Sequence, residues 1–92
     1  MNIKEFALLK AEEYRNKYIT WSIRNPGYVM CNYPIMENAC IDISKCNSIK
    51  EIKELQKIYL DKYKTFNGKI NGFGVMSRTC DTIINELKLE QT

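Results

Sequence analysis

The chain has 92 residues, enough for one domain with a modest hydrophobic core. Its apolar content of 45% argues against a disordered chain, and its net charge of +3, from 14 basic and 11 acidic residues, is lower than dedicated nucleic-acid-binding proteins usually carry. It contains no histidine, so the commonest general base, nucleophile partner and metal ligand is missing.

Composition also bears on source and compartment. Isoleucine, lysine and asparagine are abundant, as in proteins from AT-rich genomes, so part of the lysine content reflects mutational bias and not function. Residues 1–17 mix acids with bases and lack an apolar core, so we expect no signal peptide. No apolar run approaches the length of a membrane span. We therefore expect a cytoplasmic protein with reduced thiols and no membrane partner.

The first predicted element is a helix from Asn2 to about Trp21, followed by a turn where Pro26 and Gly27 are adjacent. Asn2 is suited to cap this helix, because Glu5 stands at the capping-box spacing. The apolar residues of the helix recur at intervals of three and four and therefore share one stripe. They are Ile3, Ala7, Ala11, Tyr14, Tyr18 and Trp21.

An antiparallel β-hairpin is predicted within residues 25–46. Residues 28–33 have strand composition, and residues 39–44 alternate so that Ile41 and Ile43 lie on one face. An isolated hairpin is marginal in water, so this one must pack on the helices. The alternative is an all-α protein in which residues 25–46 are irregular.

The central helix has the strongest sequence signals. Ser48 and Glu51 form a capping box, and Asn67-Gly68 is suited to end the helix after about five turns. Tyr59 lies in the middle of the apolar stripe, so we expect it to be buried. The stripe consists of Ile49, Ile52, Leu55, Tyr59, Tyr63 and Phe66.

Residues 69–76 are predicted to form a loop with a short third strand as an option, and Ser77 is predicted to cap a last helix that runs to about Glu90. The predicted fold class is therefore α+β and predominantly helical. Its order is helix, β-hairpin, helix, loop, helix, in a single domain spanning residues 1–92. The stripe of the last helix is Cys80, Ile83, Ile84 and Leu87.

No catalytic constellation is found, and we expect neither a metal nor a cofactor. The four cysteines lack the short spacing of zinc knuckles, and free cysteine usually behaves as a small buried apolar residue. In the predicted last helix Cys80 would lie in the first turn near Arg78, which favours a thiolate, but its place on the apolar stripe favours a core thiol more strongly. We therefore favour a non-enzymatic protein.

Two groups of residues suggest contact with anions. The lysines of the central helix project nearly in one line, as a phosphate-binding ridge would, although interleaved acids favour a merely solvated face. The glycines before the last helix, with donors at its predicted start, resemble an anion-binding loop. The ridge comprises Lys50, Lys53, Lys57 and Lys64, and the loop comprises Gly72, Gly74, Ser77, Arg78 and Thr79.

A third group suggests a protein interface. It combines the aromatic, methionine and arginine side chains that are enriched at such surfaces. We therefore expect a small protein-binding module, acting as an inhibitor or adaptor or by self-association, of a kind found in bacterial viruses. The alternative is binding of nucleic acid or a nucleotide phosphate. The candidate interface residues are Arg24, Tyr28, Met30, Tyr33 and Met36.

Overall fold

The computed structural model describes residues 2–28, 31–65 and 72–90. Of residue 90 it describes only the backbone. Within these ranges the chain forms four helices and no strand, so the protein is all-α and the prediction of an α+β fold with a β-hairpin was wrong. No helix in the described part of the chain is long and apolar enough to cross a membrane. The helices are α1 (Ile3–Arg24), α2 (Tyr33–Ile43), α3 (Ile49–Thr65) and α4 (Phe73–Glu90).

Helix α2 stands where the hairpin was predicted. Pro34 lies in its first turn, where a missing N–H costs nothing. Ala39, Cys40 and Ile43 are buried at helical spacing, and it was the alternation of Ile41 and Ile43 that suggested a strand. Packing of this face onto the other helices thus overrides the strand preference of the isoleucines. The all-α alternative has the right class, but residues 33–43 are helical and not irregular.

The predicted helix starts of α1 and α3 are confirmed. Asn2 Oδ1 accepts a 2.8 Å hydrogen bond from the Glu5 N–H, and Ser48 Oγ accepts one of 3.2 Å from the Glu51 N–H. The Glu51 carboxylate accepts from the N–H of Asn47, one residue before the predicted partner. Both helices therefore begin with side-chain caps that satisfy free backbone donors.

The end of α1 is also fixed locally. The helix continues to Arg24, three residues beyond the prediction, and the Asn25 N–H closes it by donating to the Trp21 carbonyl at 3.0 Å. Gly27 follows with φ +89°, a left-handed conformation that glycine adopts without strain. The Asn67-Gly68 stop predicted for α3, and Phe66 of its stripe, lie outside the described residues.

The core lies where α2 and α4 meet, with α1 packed on α2 and α3 packed on α4. Tyr59 is 3% exposed, so its predicted burial is confirmed, whereas Tyr63 at the end of the same stripe is exposed. Alanines at the buried positions of α1 let the neighbouring backbone approach closely. The core residues are Ala7, Ala11, Cys40, Ile43, Ile52, Tyr59, Cys80, Ile83, Ile84 and Leu87.

Candidate protein-binding groove

The groove follows from the unequal lengths of the two N-terminal helices. Helix α1 has 22 residues and α2 has 11, so at 1.5 Å per residue α1 is about 33 Å long and α2 only about half that. Arg15 contacts Glu37 in the first half of α2, with Nε and an outer guanidinium nitrogen each 2.8 Å from Oε2. The last two turns of α1 consequently extend past the start of α2.

This extension creates an open groove of about 500 Å³ beside the C-terminal half of α1. Its aromatic surface comes from the indole of Trp21 and the ring of Tyr33. Trp21 stacks against Tyr18 at a centroid distance of 6.3 Å, and Tyr33 stacks against Tyr14 at 6.4 Å. Stacking of this kind orients flat apolar surfaces, which suits them to receive another side chain. The lining residues are Asn16, Lys17, Thr20, Trp21, Arg24, Asn25 and Tyr33.

The charge of the groove is positive. Lys17 and Arg24 both line it, and none of its lining residues is acidic. Lys17 Nζ lies 5.5 Å from the centroid of the Tyr14 ring, a cation–π contact that places the charge beside the aromatic surface. Asn25 is held by its own side chain, because Nδ2 donates to the Trp21 carbonyl at 2.9 Å. The groove therefore offers two cations beside half-buried aromatic rings.

The predicted interface residues are only partly brought together. Arg24 and Tyr33 line the groove, and Tyr28, 74% exposed, follows the turn that closes α1. Met36 is half-buried in α2, and Met30 lies outside the described residues. Two of the five candidates thus share one surface, and a third is exposed a few residues along the chain.

Most of the α1 residues that form the groove were not predicted from the sequence. Trp21 was assigned to the apolar stripe of the helix, and Lys17 and Thr20 were not singled out. The stripe does continue to Trp21, but α2 is too short to cover its end. The incomplete burial of Trp21 could be inferred only after a helix at 33–43 had been predicted. Pro34 and the helical spacing that follows it were the available signals for that helix.

The lysine ridge lies along helix α3. Its four lysines are all exposed on α3, and within the described residues none of them forms an ion pair with Glu54 or Asp61. The carboxylates nevertheless lie on the neighbouring positions of the same helix, so they reduce the local positive potential. The ridge is thus a mixed-charge surface. Its members are Lys50, Lys53, Lys57 and Lys64.

The predicted anion-binding loop does not precede the last helix, because most of its residues lie within that helix. Helix α4 begins at Phe73, so the prediction that Ser77 caps it was wrong, and Ser77 and Thr79 are buried inside the helix. The Thr79 hydroxyl donates to the Val75 carbonyl at 2.9 Å, and Arg78 is exposed. The glycines instead allow close packing. A side chain at Gly72 would meet Ile35 at 3.1 Å, and one at Gly74 would meet Tyr63 at 3.3 Å.

The cysteines offer no reactive thiolate in the core. Cys40 and Cys80 are fully buried, and burial raises the pKa of each thiol to about 12. Burial also raises the pKa of the half-buried Cys46 thiol, with Glu51 contributing. All four cysteines are free, and among the described residues no group of histidine, cysteine, aspartate or glutamate side chains is arranged to hold a metal ion.

Comparison with known proteins does not add to this description. No family model matches the sequence, and no curated protein or solved structure matches the chain.

Proposed function

We propose that the protein is a small, non-enzymatic protein-binding module of the inhibitor or adaptor kind. Its partner presents a segment that combines acidic residues with a large apolar side chain. This segment occupies the groove at the end of α1, and the encounter takes place in the cytoplasm. The observation that carries the proposal is the pairing of Trp21 and Tyr33 with Lys17 and Arg24 in a groove whose lining has no acidic residue.

Each part of the groove has a role in this proposal. Trp21 and Tyr33 give an apolar surface for the partner's side chain, and tryptophan and tyrosine are among the residues that contribute most at interfaces. Lys17 and Arg24 attract carboxylates and disfavour basic segments, so they set specificity and association rate more than affinity. Asn16, Thr20 and Asn25 offer polar side chains along the rim.

The proposal is tested by selecting from a library of random peptides on the immobilised protein. We expect enriched peptides with two or more acidic residues near an aromatic or aliphatic one. Trp21 is the single tryptophan of the chain, so its emission reports directly on occupation of the groove by peptides that lack tryptophan. A basic or featureless consensus, or tight binding without change in Trp21 emission, would contradict the proposal.

A matched pair of variants separates the groove from general charge. Lys17→Glu combined with Arg24→Glu should weaken binding of the selected peptide by about two orders of magnitude, since it replaces attraction with repulsion. Lys53→Glu combined with Lys57→Glu changes the net charge by the same amount on exposed residues of α3 and should have little effect. Equal losses for both pairs would mean that attraction is unspecific.

The alternative function is nucleic-acid binding through the lysine ridge. It is favoured by one observation, that four exposed lysines lie along α3 without an ion pair within the described ranges. The acids between them make it the weaker proposal. A nucleotide phosphate at residues 72–79 has no comparable support, because Ser77 and Thr79 are buried within α4.

A further inference from the structure

The groove beside α1 presents its charged and aromatic side chains in a definite order. Lys17, Trp21 and Arg24 all line it, and at 100° per residue they fall within an arc of about 60° on the helix. At 1.5 Å per residue Trp21 lies about 6 Å beyond Lys17 along the axis, and Arg24 lies about 4.5 Å beyond Trp21. A cation, an aromatic ring and a second cation therefore follow one another along one line.

The two cations are spaced for two anions and not for one. Within the described chain neither Lys17 nor Arg24 forms an ion pair, so both charges are available to a partner. Their Cα atoms are about 10.5 Å apart along the axis. The contact of Lys17 Nζ with the Tyr14 ring draws the ammonium group further from Arg24. One carboxylate accepts hydrogen bonds at about 2.8 Å, so it contacts both cations only if their nitrogen atoms come within roughly 8 Å.

The length and volume of the groove favour an extended occupant. Its lining on α1 runs from Asn16 to Asn25, about 13 Å along the axis. Five residues of extended chain span the same length, and their first, third and fifth side chains point to one face at intervals of about 6.6 Å. A helix about 10 Å wide would occupy roughly 1,000 Å³ over this length, twice the volume of the groove.

We infer that the partner segment binds in an extended conformation, with one acidic residue two positions before its large apolar residue and another two positions after it. The apolar side chain packs on Trp21, and each acid pairs with a different cation. Lys17 and Arg24 thus determine specificity at two separate positions of the segment. This inference rests on the proposed function, since it concerns the segment that the groove binds.

The arrangement is tested with four end-capped peptides of one composition. Each contains one phenylalanine and two glutamates among serines and glycines, so Trp21 is the only tryptophan and its emission reports binding. The first peptide has a glutamate two residues before and two residues after phenylalanine. The second has both glutamates before it, the third has both after it, and the fourth has them three before and four after, as on one face of a helix.

The first peptide should bind about fivefold more tightly than each of the others, because it alone places an acid at both cations in an extended chain. Equal affinities, or tighter binding of the helically spaced peptide, would overturn the inference while the groove remains an acidic-peptide site. Failure of all four peptides to bind would also overturn it if the random library still yields acidic peptides. If the library yields none, the proposed function itself fails.

The separate roles of the cations are tested by combining protein variants with glutamate-to-glutamine changes in the first peptide. Lys17→Ala should remove the fivefold benefit of one glutamate only, and Arg24→Ala should remove that of the other. Lys53→Ala, on the exposed face of α3, is the matched control and should leave both benefits unchanged. If both groove variants act on the same glutamate, one anion bridges the two cations and the inference is overturned.

Discussion

The hydroxyl of Tyr59 lies 2.6 Å from Oδ2 of Asp42, and this hydrogen bond joins α3 to α2. Tyr59 is buried and Asp42 is half-buried, so the bond links a neutral donor to a carboxylate with limited access to water. The Tyr59 ring also stacks against Phe73 of α4 at 6.5 Å. A single side chain of α3 therefore contacts both α2 and α4.

Removal of this side chain should be strongly destabilising. Tyr59→Ala should lower the free energy of unfolding by about 3–5 kcal/mol, as for other large core aromatics, because it leaves a cavity and a carboxylate without its donor. In a domain of this size such a loss approaches the whole stability. Urea denaturation followed by circular dichroism measures it.

The hydrogen bond and the ring are separated by a second variant. Tyr59→Phe keeps the packing and should cost about 1.5–3 kcal/mol, the range for hydrogen bonds to charged groups. In the double variant with Asp42→Ala the two losses should not add, because each single change breaks the same bond. Additive losses would mean that the hydroxyl and the carboxylate contribute independently.

Stability should fall at alkaline pH. Burial raises the pKa of the Cys40 and Cys80 thiols from 9.0 to about 12, so the folded protein keeps protons that the unfolded chain releases. This contribution is fully present below pH 9 and is lost as the pH rises toward 12. Each thiol should then reduce the free energy of unfolding by at most about 1.4 kcal/mol per pH unit. Urea midpoints between pH 7 and pH 10 test this.

The matched control for the alkaline effect is another core residue. Cys80→Ala should reduce the slope of the unfolding free energy against pH, because it removes one titrating group. Ile83→Val should lower the free energy of unfolding equally at all pH values, because it removes volume but no ionisable group. The remaining slope should include Tyr59, whose pKa is raised by burial and by its hydrogen bond to Asp42. An unchanged slope in Cys80→Ala would contradict the assignment.

Two glycines should respond differently to substitution. Gly27→Ala should destabilise the protein by about 1–2 kcal/mol, since its φ of +89° is strained for any residue with a side chain, although no atom lies within 4 Å of the added carbon. Gly74→Ala should be nearly neutral. Its new methyl group meets the exposed Tyr63 ring, which can move aside, and alanine favours helix. Thermal melts of both variants decide the comparison.

Nucleic-acid binding by the lysine ridge should be weak. Fluorescence anisotropy with a labelled oligonucleotide should show binding at low salt that falls steeply as salt increases, because only phosphate contacts are available. Lys53→Glu combined with Lys57→Glu should abolish it, and Lys17→Glu with Arg24→Glu should reduce it less. Tight binding at physiological salt that depends on Lys53 and Lys57 would favour the alternative function.

Features determined by neighbours in the chain were predictable from the sequence. Asn2 and Ser48 cap α1 and α3 by accepting hydrogen bonds from the N–H three residues further along the chain. The burial of Tyr59 was predictable from its place in the middle of a helical stripe, whereas Tyr63 at the end of that stripe is exposed. The close of α1 at residues 24–27 likewise depends on adjacent residues. Such interactions span only one helical turn, so a few residue types at fixed spacing suffice to specify them.

Helix α2 and the start of α4 were decided by the tertiary structure. Residues 33–43 have local preferences for both strand and helix, and it is the burial of Ala39, Cys40 and Ile43 in the common core that favours the helix. The groove depends in turn on this outcome, because the short α2 leaves Trp21 only half-buried. The free energy of burying apolar surface comes from contacts between residues far apart in the chain. A local sequence pattern therefore cannot predict which face of a helix will be covered.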